Sequence, residues 1–162
     1  MHPSLFNDKN SVVSIETSRP VYHVGETILY KVMLNFKEAI SIRGIYAFLV
    51  YVESKKAMQF RQMTNDEVED RLRTGIPVGD RTIAEEKIIN SEHIFSKAKI
   101  AKEGKYKDEK ILGKFTIPFN VYPTSFSFDI DNRKVTWYLR VKLDIPFAPD
   151  IHAEKEILIL PK

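Results

Sequence analysis

The stretch Val135 to Ile145 reads V-T-W-Y-L-R-V-K-L-D-I. Val135, Trp137, Leu139, Val141, Leu143 and Ile145 fall at every second position, with Thr136, Tyr138, Arg140, Lys142 and Asp144 between them. Successive side chains of a strand point to opposite faces, so this strand is apolar on one side and wet on the other. That pattern belongs to an antiparallel sheet with one face on a core, not to a parallel sheet buried on both sides.

Outward from this stretch the same period recurs. Ser11–Thr17 places Val13 and Ile15 on one face, and Glu26–Phe36 places Ile28, Tyr30, Val32, Leu34 and Phe36 together. After a polar connection at Asn35–Ala39, the run Ile40–Glu53 places Ile40, Ile42, Tyr46, Phe48, Val50 and Val52 on a shared face. Gly44 marks a bend within it. Two long alternating strands joined by a few polar residues read as a hairpin. From Thr82 the sheet resumes: Ile83–Ala101 reads as one long, twisted edge strand or as two strands with a break near Asn90, Lys102–Asp108 as a charged turn, and Glu109–Phe119 as a strand. Ser125–Ile130 reads as a strand with Phe126, Phe128 and Ile130 inward, and Glu154–Leu160 is the last strand. Ser18–Gly25 is a turn-rich link punctuated by Pro20 and Gly25.

Ser54–Arg81 reads as an insertion. Within it, Thr64 and Glu67 have capping-box spacing, Arg71 and Arg73 stand where a last helical turn favours cations, and Gly75 can end the turn. One short helix over Asn65–Thr74 is predicted. Eight or nine strands with regular turn signals predict an all-β, antiparallel, immunoglobulin-like two-sheet sandwich. At 162 residues the chain is read as a single domain, 1–162.

Composition narrows the function classes. Cysteine is absent, which excludes a disulfide framework, a thiolate zinc site and a cysteine nucleophile. No signal-peptide pattern opens the chain and no run reaches the ~18 apolar residues of a membrane span, so a cytoplasmic protein is expected. The net charge is only +3, and no clustered footprint for nucleic acid accompanies the sequence pI near 9.0. His2, His23, His93 and His152 lack metal-ligand spacing. Glu92 and His93 are neighbours in a strand and so face opposite ways. Asp129, Asp131 and Asn132 lack the glycine and distant glutamate of a helical calcium loop and read as turn formers. Asp144 and Asp150 could join them only in a sandwich-loop site that nothing else in the sequence supports. No G-x-S-x-G, G-x-x-x-x-G-K-[ST] or G-x-G-x-x-G occurs. No catalytic residue, metal or cofactor is expected. The binding candidates are Lys97, Lys99, Lys102, Lys105, Lys107 and Lys110, a basic stretch diluted by Glu103, Asp108 and Glu109. It reads either as a patch for anionic partners or as a solvated edge and turn.

Three ordered motifs resemble the arrestin clan, in particular its amino-terminal sandwich and the prokaryotic sporulation-control proteins. They are V-Y-H-V-G-E-T-I at Val21–Ile28, F-T-I-P-F at Phe115–Phe119 with Pro123 and Ser125 following, and V-T-W-Y-L-R-V-K-L-D-I-P with Asp150 downstream. His23 stands where proline is usual, and Lys55 and Lys56 do not match the family's phosphate-sensing pair. The resemblance implies a curved sandwich that binds other proteins and catalyses nothing. The expected function is therefore a non-enzymatic interaction, scaffold or adaptor module with a protein partner. Its contact surface is expected along the Thr82–Ala101 edge, through which a homodimer is also expected. The alternative is a peripheral membrane module using the lysine-rich stretch or the Ser54–Arg81 insertion.

Overall fold

The structure, a computed structural model, describes residues 4–5, 11–128 and 132–162. Among these residues the order is β1 (Ser4–Leu5), β2 (Ser11–Thr17), β3 (Val21–His23), β4 (Thr27–Ile42), β5 (Gly44–Gln62), α1 (Asn65–Arg73), β6 (Thr82–Ala101), β7 (Gly104–Thr116), β8 (Arg133–Asp144) and β9 (Ile151–Leu160). One sheet runs β1-β9-β8-β5-β6, with β3 parallel to the end of β9; the other runs β2-β4-β7. All other pairs are antiparallel.

The alternation in β8 has the predicted consequence. Val135, Trp137, Leu139, Val141 and Leu143 are buried and face Ile28, Tyr30, Val32, Leu34 and Phe36 of β4 across one core. Trp137 buries its ring and still satisfies its indole, donating from Nε1 to the Tyr122 carbonyl at 2.7 Å. Where β8 and β9 part, Thr124 and Ser125 wedge between them. The Thr124 N–H donates to the Ile159 carbonyl at 2.7 Å and the Ser125 N–H to the Val135 carbonyl at 2.9 Å.

Four expectations are corrected. The predicted hairpin does not form, because β4 and β5 lie in different sheets. The polar residues Asn35–Ala39 are absorbed as an irregularity in the β4–β7 ladder, and the chain crosses between sheets at Arg43. Arg43 is held there by its N–H on the Asp144 carbonyl (2.8 Å) and its guanidinium on the Asp144 carboxylate (2.9 Å). A period of two identifies faces but not neighbours. The crossing also resets the parity: Ile42 points inward on β4, but Ile45, Ala47 and Leu49 do so on β5, which turns Tyr46, Phe48, Val50 and Val52 outward.

Second, the Lys102–Asp108 turn shrinks to Lys102 and Glu103, because Gly104–Tyr106 pairs with Ile40–Ile42. Third, Ser125–Phe128 is not a strand: it follows the Thr124–Ser125 wedge, and Phe126 is 71% exposed. Ile130 lies outside the described residues. Fourth, the Ser18–Gly25 link contains β3, which covers the end of β9. Its exit turn closes on Glu26, whose carboxylate accepts from the His23 N–H at 3.0 Å while Gly25 takes φ +86°.

Candidate interaction surface

Strand β8 ends opposite Lys55, at Arg133. Beyond that point the only strand paired with Lys56–Gln62 of β5 among the described residues is Thr82–Ile88 of β6. Among the described residues, no second sheet lies against either face of the ribbon these two form. Ser54–Gln62, expected as part of an irregular insertion, is thus a continuation of β5. A pair of strands without a hydrophobic face to bury is marginal in water, so this ribbon depends on its attachment to the sheet and on its tip.

The tip is α1, and the capping predicted from Thr64 and Glu67 is present. The Thr64 hydroxyl accepts from the Glu67 N–H, and the Glu67 carboxylate accepts from the Thr64 N–H. At the other end the Gly75 N–H reaches the Leu72 carbonyl and the Ile76 N–H the Arg71 carbonyl, with Gly75 at φ +75°, a Schellman closure. α1 buries no side chain. Nine residues alone would be a marginal helix. Arg61 fastens it to the ribbon, donating to both Glu67 oxygens at 2.8 and 3.0 Å and to Glu85 at 3.1 Å. The Arg61 guanidinium and the Thr64 donors draw the Glu67 carboxyl down from 4.5 to about 2.

On the ribbon, and at Ile89 and Ile94 where β5 still pairs with β8, β5 and β6 present oily side chains to solvent. Phe60 is 72% exposed, Met58 61% and Ile94 60%; Ile88 and Ile89 are half exposed, as is Ile76 near the tip, where Leu72 is 66% exposed. Among the described residues β6 has no ladder except with β5, which leaves the other edge of its 20 residues open, as the sequence predicts for Thr82–Ala101. Such an edge offers unpaired N–H and C=O groups along its length.

The register with β5 assigns the faces of β6. Thr82, Ala84, Glu86, Ile88, Asn90, Glu92 and Ile94 share the outer face with Met58, Phe60 and Val52. A bulge at Phe95 then shifts the parity, so that Lys97 and Lys99 continue the outer row. Phe95 meets the Trp137 ring edge-on at 5.9 Å, and His93 stacks on Tyr51 at 4.7 Å, both on the inner face. Glu92 points outward to Arg140, so Glu92 and His93 do face opposite ways. Arg140, beside Phe48 on β8, also holds Glu154 at 2.8 Å. Its bridge to Glu92, which lies opposite Val52, crosses β5 at Val50. That accounts for a fully buried valine on the outer face. Arg140 keeps the Glu92 carboxyl below its ordinary range.

The six candidate lysines are all exposed, and the crossing at Lys102–Glu103 divides them. Lys97 and Lys99 lie on the outer face of the large sheet, with the Lys97 ammonium 5.0 Å from the Tyr46 ring centre and 5.6 Å from that of Phe48. Lys105 and Lys110, opposite Ser41 and Met33, lie outward from the small sheet on the other side of the sandwich. Lys107 sits across from the irregular part of β4. Lys99 and Lys102 do converge on an open hollow of about 540 Å³ at the corner, but Glu109 lines it too. One flat anionic surface cannot meet both outward sets at once.

Among the described residues no three His, Asp or Glu side chains cluster to hold a metal ion. Asp144 is engaged by Arg43. Burial pushes the Asp150 carboxyl up, but the Ile145 N–H and Lys142 outweigh it and hold it below its usual value. Asn132 is left-handed at φ +57° and its carbonyl accepts from the Lys56 N–H. Asp129, Asp131 and His2 lie outside the described residues. No described helix is long and apolar enough to cross a membrane.

Ile88 and Ile94 lie on the edge expected from the sequence as the contact surface, whereas the ribbon residues Met58 and Phe60 were not singled out there. Their signal was present: Lys56, Met58, Phe60 and Gln62 alternate with Ala57, Gln59 and Arg61, continuing the period of β5 past Ser54.

No protein-family model matches the chain, and no curated protein does. Among solved structures the chain is similar to Spo0M, a sporulation control protein from Bacillus subtilis. The TM-score is 0.62 at 14% identity, over 93% of this chain and 49% of that one. The fold is arrestin-like, as the three ordered motifs imply. The chain spans about half the length of the Spo0M chain it resembles.

Proposed function

We propose that this arrestin-like sandwich is a non-catalytic interaction module of adaptor or scaffold type, acting on protein partners through the β5–β6 ribbon and the open edge of β6. The observation that carries the reading is a 20-residue strand with no partner on its outer side among the described residues, whose isoleucines Ile88, Ile89 and Ile94 stand in solvent and whose first half runs past the sheet beside exposed Met58 and Phe60. A partner strand laid on that edge gains main-chain hydrogen bonds, and its alternate side chains meet the isoleucines. The charge of the region favours protein over anionic membrane: Ser54–Asn90 carries seven basic and seven acidic side chains, which gives no net attraction to a negative surface.

The test is affinity capture from the native host with two baits: the full chain, and a chain shortened by removing Ala57–Lys87 and joining Lys56 to Ile88 through Asn-Gly. Those two residues face each other in the ladder, so the cut preserves register. The expected result is a reproducible captured protein lost with the shortened bait, together with an unchanged unfolding midpoint. Equal capture by both baits would overturn the assignment.

A further inference from the structure

We infer that the open edge of β6 is occupied by the β6 edge of a second copy, paired antiparallel about a two-fold axis at Ser91. This rests on the reading of the edge as the contacting element and names its occupant. A two-fold interface brings each residue opposite a partner of its own strand, so the strand must complement itself. Counting outward from Ser91 along the outer face, the amino-terminal side runs Asn90, Ile88, Glu86, Ala84, and the carboxy-terminal side, after the Phe95 bulge, runs Glu92, Ile94, Lys97, Lys99. In this register Asn90 meets Glu92, Ile88 meets Ile94, and Glu86 meets Lys97, each pair occurring twice. The two most exposed isoleucines of β6 cover one another, and opposite charges stand directly across the seam.

Neighbouring registers lose this match. An axis at Asn90 sets Ile88 against Glu92 and Glu86 against Ile94. An axis at Glu92 sets that carboxylate against itself and Ile88 against Lys97. An axis at Ile89 sets Glu86 against Glu92. Ser91 is also near the midpoint of Thr82–Ala101, so its register engages almost the whole edge. The sheet then continues across both copies, with the ribbons and their helices pointing in opposite directions.

The chain has no cysteine, so a single introduced thiol reports the register. Directly opposed residues of an antiparallel pair lie about 4.5–5.5 Å apart at Cα, inside disulfide range. The experiment is oxidative cross-linking of Ser91→Cys and of Glu85→Cys in the full chain, with solution mass measured by sedimentation across a concentration series. Two-fold pairing at Ser91 joins S91C chains to each other. The two E85C thiols are roughly 40 Å apart across the seam, from about 3.4 Å per residue, and stay reduced. E86K places like charges across both seams and raises the dimer dissociation constant about tenfold, and E86K/K97E restores it. A mass that stays monomeric, a dimer in which S91C does not cross-link, or an E86K defect that K97E fails to rescue would overturn the inference. A monomer that still captures its partner through the ribbon leaves the proposed function standing; a monomer with equal capture by both baits removes both.

Discussion

The two halves of β5 and β6 differ more than any two separate elements of this protein. From Gly44 to Tyr51 the pair lies in the large sheet, with Ile45, Ala47 and Leu49 sealed against the small sheet. From Lys56 to Gln62 the same strand, with the same period and the same partner, has no fully buried residue on either face. Alternation is equally good in both halves. A second layer turns an alternating strand into core, and where the second layer stops the strand becomes surface. One half can therefore be judged by stability and the other by association.

The largest contrast is expected between Trp137 and Phe60. Trp137→Ala empties a fully buried site and removes the donor to Tyr122, so urea unfolding should show a loss of about 3–5 kcal/mol. Phe60→Ala removes a ring already in solvent and should change stability by less than about 0.5 kcal/mol while weakening partner capture.

Glycine substitutions sharpen the same contrast. A Cβ on Gly113 of β7 would lie 2.3 Å from the Tyr30 ring, which is itself fixed in the core; burial also lifts the Tyr30 hydroxyl to about 12. Gly113→Ala should cost about 1–3 kcal/mol through overpacking. Gly79, beyond the tip helix, has nothing within 4 Å of that position, and Gly79→Ala should be neutral within about 0.5 kcal/mol by the same unfolding measurement.

Where the halves meet, Arg140 bridges Glu92 and Glu154 over Val50. Arg140→Met should cost about 1–2 kcal/mol in thermal or urea unfolding, since it leaves two neighbouring carboxylates without their shared donor. The smallest effect is confined to the tip. Glu67 has its pKa lowered from 4.5 to about 2, so its contribution is full above the unfolded value and is lost as pH falls through the folded one. The α1 amide signals should therefore collapse between pH about 4.5 and about 2 by NMR, before the Trp137 environment changes.

Much of this arrangement was legible in the residues. The alternation around Trp137 identified the buried face of β8, Thr64 and Glu67 marked the helix start, and Thr82–Ala101 read as the edge. What escaped depends on contacts far apart in the chain. Nothing local to Asn35–Ala39 says that Asp108 and Tyr106 will bridge it, or that Arg43 will find Asp144 and reverse the parity of Tyr46 and Phe48. The lysines from Lys97 to Lys110 look like one cluster because they are close in sequence; the sheet crossing at Lys102 spreads them over two faces. The apolar ribbon face was missed for the opposite reason. Its period was visible, but periodicity carries no information about whether a second sheet lies beneath.

Residue-resolved amide hydrogen exchange in the dilute chain tests the division most directly. The account predicts protection near the global unfolding free energy for Leu139 and Val141 of β8, and rapid exchange across Ile83–Ile89 that slows only when a partner or a second copy is bound. Equal protection of both regions in the unbound chain would contradict it.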